Sequence, residues 1–290
     1  MSHATRRLSS NAVLPLALAL ALLAATACRS GAPDTPPQAP TAPVPATPRG
    51  ATPSATPSAT PSTTPSATQA PPTPAAAPAA IPSHAIRWTR DSAEHRALLL
   101  QVYRAATLHV EREAASRPSG GWAVILDADE TVLDNSLYQV EREREGKPFD
   151  PPSWKAWTDR REALPLPGAS AFLARVRELG GKIAIVTNRW QIECPATEDV
   201  FRKHGLAWDV MLCMPNGGPS DKNPRFEAVA NGTTPAGLPP LEVVAFVGDN
   251  IQDFPKLSQA IRKEPDAAFE RFGARYFVLP NAMYGSWERN

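Results

Sequence analysis

Trp122-Ala123-Val124-Ile125-Leu126-Asp127-Ala128-Asp129-Glu130-Thr131 is a short apolar run that ends in two aspartates one residue apart. The run predicts a buried strand. Alternate residues of an extended chain point to the same side, so Asp127 and Asp129 project together from the strand's carboxyl end, where open α/β sheets bind their ligands. Two carboxylates in one place can divide a phosphoryl transfer between them. One attacks phosphorus and forms an aspartyl phosphate; the other protonates the departing alcohol and later takes a proton from water. The plainer reading of D-x-D-x-T is a strand ending in a solvated acidic turn, and the pentapeptide alone does not separate the two.

Further parts follow in order. Lys182-Ile183-Ala184-Ile185-Val186 reads as a second buried strand and ends in Thr187-Asn188-Arg189. The Thr187 hydroxyl and the backbone N–H groups after it, that of Asn188 included, suit a phosphoryl oxygen; a polar strand terminus is the alternative. Ser220-Asp221-Lys222 places a lysine at a loop or helix start, where it can neutralise phosphate charge. Leu241 to Val247 is another buried strand by composition, followed by Gly248-Asp249-Asn250-Ile251-Gln252-Asp253-Phe254. Asp249 and Asp253 are four apart and share a face if a helix begins there. Converging carboxylates repel unless a divalent cation offsets them. Mg²⁺ suits such a set, as a hard ion held by one or two carboxylates, waters and substrate phosphate.

The ordered set D-x-D-x-T, strand-Thr, Lys and G-D-x-x-x-D resembles the haloacid dehalogenase-like phosphohydrolases. Ile125-Leu126-Asp127-Ala128-Asp129-Glu130-Thr131-Val132-Leu133-Asp134-Asn135-Ser136-Leu137-Tyr138 and Val247 to Phe254 are similar to the paired signatures of the class C acid phosphatases, bacterial lipoproteins acting as 5'-nucleotidases and general phosphomonoesterases. Three segments agree: Trp88 to Ala106 with Ser92-Ala93-Glu94, Phe149-Asp150 to Trp154 and Trp157 leading to Pro167-Gly168, and Leu279 to Glu288. Ala128 stands where that family usually has Leu or Ile, and Ile251 where it has Leu. Neither departure removes a functional group.

The resemblance implies a Rossmannoid parallel sheet with helices on both faces and a small helical cap. It implies Asp127 as nucleophile and Asp129 as general acid and base. Mg²⁺ would be held by Asp127, the Asp129 backbone carbonyl and Asp249, with Asp253 acting through metal-bound water. Thr187, Asn188 and Lys222 would hold the phosphoryl group, and Trp154 and Tyr284 would sandwich a nucleobase. Ordinary packing is the other reading of those two aromatics. A phosphotransferase on the same scaffold and a non-catalytic surface lipoprotein are the rival functions; Asp129 argues against a dehalogenase, which has no alkoxide to protonate.

The front of the chain is built differently. Arg6 and Arg7, an apolar stretch from about Ala12 to Ala25 and then Ala25-Thr26-Ala27-Cys28 read as a signal peptide over residues 1–27. The run is shorter than the roughly 20 residues that cross a bilayer. Ala25-Thr26-Ala27 also fits an ordinary cleavage site, which would leave an unpaired Cys28. Lipidation at Cys28 is the reading kept here, putting the protein on the bacterial envelope, the outer membrane in preference to the inner. Residues 28–83 hold about half of the chain's 33 prolines and repeat Ala-Thr-Pro-Ser at Ala51, Ala55 and Ala59, the composition of an extended linker.

Residues 84–290 form the expected catalytic domain, with cap-like elements at about 84–118, 135–165 and the chain end. A helix is expected over about Asp91 to Ala115, with Leu98, Val102, Ala105 and His109 near one stripe and His109 on the surface. Strands are expected at 122–127, 182–187, 209–213, 242–247 and 275–279, separated by helical patterns such as Gly168 to Leu179, so the sheet is parallel. Glu141 to Glu145 reads as a solvated helix face. The 30 Lys and Arg against 29 Asp and Glu leave a net charge of +1, without the basic field a nucleic-acid polymer needs. A small phosphomonoester or nucleotide is the expected partner, and a homodimer is left open. Cys194 and Cys213 are either bridged or two buried thiols.

Overall fold

The computed structural model describes residues 82–289. The expected signal peptide, Cys28 and all but the last two residues of the linker lie outside the described residues. In chain order the helices are α1 (His84–Asp91), α2 (Ala93–Ala114), α3 (Ser136–Arg144), α4 (Pro151–Arg160), α5 (Ala169–Glu178), α6 (Cys194–Lys203) and α7 (Asn223–Asn231). The strands are β1 (Trp122–Leu126), β2 (Leu133–Asp134), β3 (Leu164–Pro165), β4 (Lys182–Trp190), β5 (Val210–Met214), β6 (Glu242–Gly248) and β7 (Tyr276–Val278).

All five expected strands form one parallel sheet in the order β5-β4-β1-β6-β7. The chain runs outward from β1 through β4 to β5, then crosses to the other side of β1. That puts the switch point at β1, beside which open α/β sheets form their binding crevice. Leu126 of β1 is level with Ile185 of β4 and Val247 of β6, so the residues that follow each strand emerge at a common edge.

Both faces of the sheet are covered, which is why its strands read as continuous apolar runs. Trp122, Val124 and Leu126 pack with Leu99, Tyr103 and Val110 of α2, Phe172 and Val176 of α5, and Phe201 of α6. Ala123 and Ile125 point the other way and pack with Phe226 and Val229 of α7 and with Phe246, Phe254 and Tyr276.

Two expectations about the leading helix are corrected. The helix itself forms as expected, as α2, and Ser92, between it and α1, caps it by accepting from the His95 N–H at 3.0 Å. Its buried stripe is His95, Leu99, Tyr103, Ala106 and Val110, whereas Leu98 is 38% exposed. His109 is buried as well, its Nε2 2.9 Å from the Val244 carbonyl and its ring against Phe277. A run of three leucines, Leu98 to Leu100, supports several helical registers, and the larger Tyr103 decides among them by filling the space above β1.

Between β2 and β3, which pair antiparallel, lie α3 and α4. The Asp150 carboxylate caps α4 by accepting from the Ser153 N–H at 2.9 Å, and Pro151 and Pro152 fit the first turn, where no N–H is needed. The Glu141 to Glu145 run does more than face solvent: Glu141 accepts two hydrogen bonds from Arg160, and Arg142 pairs with Asp150 at 2.7 Å, tying α3 to α4. Among the described residues no helix is long and apolar enough to cross a membrane.

Candidate active site

The chain turns sharply after β1. The N–H groups of Val132 and Leu133 both donate to the Ala128 carbonyl, and Glu130 takes a left-handed φ of 49°. The buried Tyr103 hydroxyl donates to the Thr131 carbonyl at 2.6 Å and pins this turn to α2. Asp127 and Asp129 thus leave the turn in fixed directions and meet different company.

Asp127 belongs to an acid cluster. One carboxylate oxygen each from Asp127, Asp249 and Asp253 lies within 4.8 Å of the others. Asp249 and Asp253 do not share a helix face as the spacing suggested. A single 3₁₀ turn, Ile251–Asp253, folds Asp253 back instead, so that its Oδ2 accepts the Asn250 N–H at 2.8 Å. Gly248 permits this, because a Cβ there would sit 2.3 Å from the Asp253 Cβ. Asp249 Oδ1 accepts from the Thr131 hydroxyl at 3.2 Å and its Oδ2 from the Asn281 amide at 2.8 Å.

Lys222, buried at the start of α7, reaches Asp253 Oδ1 at 2.6 Å and Asp127 Oδ1 at 2.7 Å. Both contacts are buried ion pairs, so one lysine faces two of the three carboxylates of the cluster. Burial alone would lower the Lys222 ammonium, but Asp127 and Asp253 outweigh it and hold the group above the usual lysine range. Burial pushes the Asp127 carboxyl up to about 7, with Lys222 pulling it down and Asp253 and Asp129 pushing it further. Asp249 is raised well above the usual carboxylate range by burial, then by Asp253 and Asp127.

These residues fit a divalent cation. Opposed ligands of Mg²⁺ at 2.0–2.1 Å are about 4 Å apart, so carboxylate oxygens within 4.8 Å can share the ion directly or through one of its waters. Three converging carboxylates against one lysine leave an excess of negative charge that such an ion offsets.

Asp129 turns away from that cluster, onto Arg189. Arg189 Nη2 and Nε donate to its Oδ1 at 2.7 and 3.0 Å, and the Asn135 amide donates to the same oxygen at 2.9 Å. Sequence reasoning gave neither Arg189 nor Asn135 a role, although Arg189 directly follows Thr187-Asn188 and Asn135 lies in the stretch that carried the resemblance. Glu130 was also passed over. It is buried, its Oε1 accepts the Asn135 N–H at 2.8 Å, and burial, then Asp129 and Asp249, raise its carboxyl well above the usual range.

Thr187 is fully buried at the sheet edge, and its hydroxyl accepts from the Arg189 N–H at 3.1 Å. The Asn188 side chain is committed elsewhere: its amide donates to the Ser220 carbonyl at 3.0 Å and its Oδ1 accepts from Arg225. What Asn188 retains for a phosphoryl oxygen is its backbone. Arg225, also missed from sequence, donates to the Thr187 carbonyl as well and so braces the strand tip from α7. Cys194 and Cys213, left open by the sequence, form a disulfide with Cα atoms 6.2 Å apart; Cys213 is level with Thr187.

Trp154 on α4 packs edge-on against Tyr138 at 5.0 Å and lies under the Arg189 guanidinium, 5.5 Å from the ring centroid. Tyr284, half-buried, follows Asn281 in the segment that Asn281 ties to Asp249. The structure therefore places Trp154 beside the support of Asp129 and the Tyr284 segment beside the acid cluster.

The model of the HAD superfamily, subfamily IIIB (acid phosphatase), matches residues 55–287. The structure is similar to that of the class C acid phosphatase from Bacillus anthracis, with a TM-score of 0.62 and 29% identity over 70% of this chain and 85% of that one. A structure of the Bacillus anthracis enzyme with tungstate bound matches to the same extent. These likenesses bear out the resemblance read from the D-x-D-x-T and G-D-x-x-x-D segments and the parallel-sheet fold it implied. The chain belongs to the subfamily IIIB acid phosphatases of the HAD superfamily, and is a phosphoric monoester hydrolase.

Proposed function

We propose that the chain hydrolyses 5'-nucleoside monophosphates and other small phosphomonoesters through an aspartyl-phosphate intermediate, with Mg²⁺ at its acid cluster. The observation that carries this is the separation of the two aspartates. Asp127 lies with Lys222, Asp249 and Asp253, while Asp129, two residues on, is drawn onto Arg189 and Asn135. Two carboxylates held on different partners can act on different atoms of one phosphomonoester, the phosphorus and the leaving oxygen.

Asp127 attacks the phosphorus. Lys222, already within 2.7 Å of that carboxylate, neutralises the phosphoryl oxygens, and the Thr187 hydroxyl with the Asn188 N–H holds them. Asp129 donates a proton to the leaving oxygen and then takes one from the water that opens the aspartyl phosphate. Asp127, the Asp129 carbonyl and Asp249 would hold Mg²⁺ directly and Asp253 through water. Bound there, the ion would supply charge neutralisation for the phosphoryl oxygens and the assembled carboxylates. Tungstate, a tetrahedral oxyanion, binds to the similar Bacillus anthracis enzyme, which supports a phosphoryl-sized site in this chain.

Trp154 and Tyr284 sandwich the base of a nucleotide. An offset aromatic stack contributes about 1 kcal/mol beyond burial, enough for a preference and too little for an absolute choice. The lipid-anchored placement follows from Cys28 and the linker: the enzyme stands off an envelope membrane, the outer one where the cell has two.

Phosphate release from a nucleoside monophosphate, with and without Mg²⁺, tests the reaction; release unchanged in chelator would contradict it. Phosphate appearing on an added alcohol in place of free phosphate would make the enzyme a phosphotransferase. Trp154→Ala or Tyr284→Ala should raise the KM for nucleotides more than for alkyl phosphates. Equal effects would return both rings to packing.

A further inference from the structure

Three N–H contacts converge on a single oxygen of Asp129. Oδ1 receives Asn135 Nδ2 at 2.9 Å, Arg189 Nη2 at 2.7 Å and Arg189 Nε at 3.0 Å, while Oδ2 has a longer contact with Nε at 3.2 Å. A carboxylate oxygen offers about two lone-pair sites, so Oδ1 is saturated and Oδ2 keeps its capacity.

The donors are themselves fixed. Arg189 has a side chain only 1% exposed, with Nη1 on the Thr197 hydroxyl at 3.0 Å and Nη2 also on Asn135 Oδ1 at 3.1 Å. Asn135 is fully buried, and its Oδ1 accepts from Trp157 Nε1 at 2.8 Å. Its backbone N–H is held by Glu130. The tip of β4, the start of α3, α4 and α6 thus all bear on one carboxylate oxygen. Such an arrangement holds a side chain in one rotamer, and a loose group 1 Å out of place can cost about 100-fold in rate.

We propose that Asn135 and Arg189 are positioning residues, which anchor Asp129 through Oδ1 so that Oδ2 is the atom that meets the leaving-group oxygen. The proposal rests on the acid–base role of Asp129 given above. It also makes α4 a common support. Trp154 presents its ring to Arg189, and Trp157, on the same helix, donates to Asn135, so the surface offered to the leaving group and the donor of its proton are held by one network.

The test compares the wild-type enzyme, Asn135→Ala, Asp129→Asn and the double variant, each on a nucleoside monophosphate and on p-nitrophenyl phosphate in the presence of Mg²⁺. A nitrophenolate departs without help, so a misplaced acid matters less for it. Asn135→Ala should lower kcat for the nucleotide by about 10- to 100-fold, lower it much less for p-nitrophenyl phosphate, and leave KM near its wild-type value. In the Asp129→Asn background it should add nothing, since the anchor then has no acid to place. Equal losses on the two substrates, or a loss that multiplies with that of Asp129→Asn, would overturn the proposal. If Asp129→Asn itself loses equally on both substrates, the acid role fails and the proposal fails with it, identifiably at that residue. Should Asn135→Ala not fold, Trp157→Phe, which removes the Nε1 donor to Asn135 together with part of a buried ring, is judged by the same two criteria.

Discussion

The Asp127 carboxylate lies among influences that oppose its charge, burial first and then Asp253 and Asp129, with Lys222 in its favour. Its folded value of about 7 stands above the ordinary 3.8, so folding favours the protonated form. The stability this gives the metal-free protein is full below the ordinary value and is lost as pH rises through about 7. Asp249 is displaced in the same direction. A divalent cation binds the ionised carboxylates, so its stabilising effect grows over the same window. The rise in Tm on adding Mg²⁺ to chelator-treated protein should therefore be larger at about pH 8 than at about pH 5. A rise that is equal, or larger in acid, would contradict the assignment of the cluster as the metal site. The members of this cluster were legible in the sequence only as a set, because the strand-Thr, the lysine and G-D-x-x-x-D follow D-x-D-x-T in order, whereas D-x-D-x-T alone reads equally as a solvated acidic turn. Arg189 and Asn135 were not legible. Each is polar and next to a turn, which sequence alone reads as surface, and only the packing of α4 and α6 over them makes them interior.

At the level of elements, the catalytic turn depends on a helix distant in sequence. Tyr103 of α2 is 2% exposed, and its hydroxyl holds the Thr131 carbonyl. Its ring also lies where a Cβ on Gly168 would be 2.8 Å away, which together with a φ of 96° restricts position 168 to glycine. Tyr103→Phe keeps the ring and strands a buried carbonyl, so it should destabilise the domain by about 1–3 kcal/mol in urea unfolding. No change in unfolding midpoint would mean that the turn is held without α2. The five strands were readable because burial on both faces leaves uninterrupted apolar segments. The face of α2 was misjudged by one residue, since Leu98 to Leu100 fit more than one stripe and only the sheet selects Leu99. The four-residue spacing of Asp249 and Asp253 suggested a helix for a similar reason: spacing is shared by several local structures, and the close approach at Gly248 selects a 3₁₀ turn.

For the whole molecule, the architecture divides labour between a scaffold and its edge. The parallel sheet brings the carboxyl ends of β1, β4 and β6 together, and the disulfide from Cys194 to Cys213 links the start of α6 to β5 beside the Thr187 tip. The proposed anchor is tested in cells: Cys28→Ser should move the enzyme from the membrane fraction to the soluble fraction, and an equally membrane-bound variant would contradict lipidation. The central claim is the nucleophile, and rapid acid quenching during turnover with mass spectrometry of the peptide carrying Asp127 tests it most directly. The account predicts a phosphoryl adduct on Asp127 in the wild-type enzyme, and neither adduct nor turnover in Asp127→Asn. Steady phosphate release by a folded Asp127→Asn enzyme would contradict it.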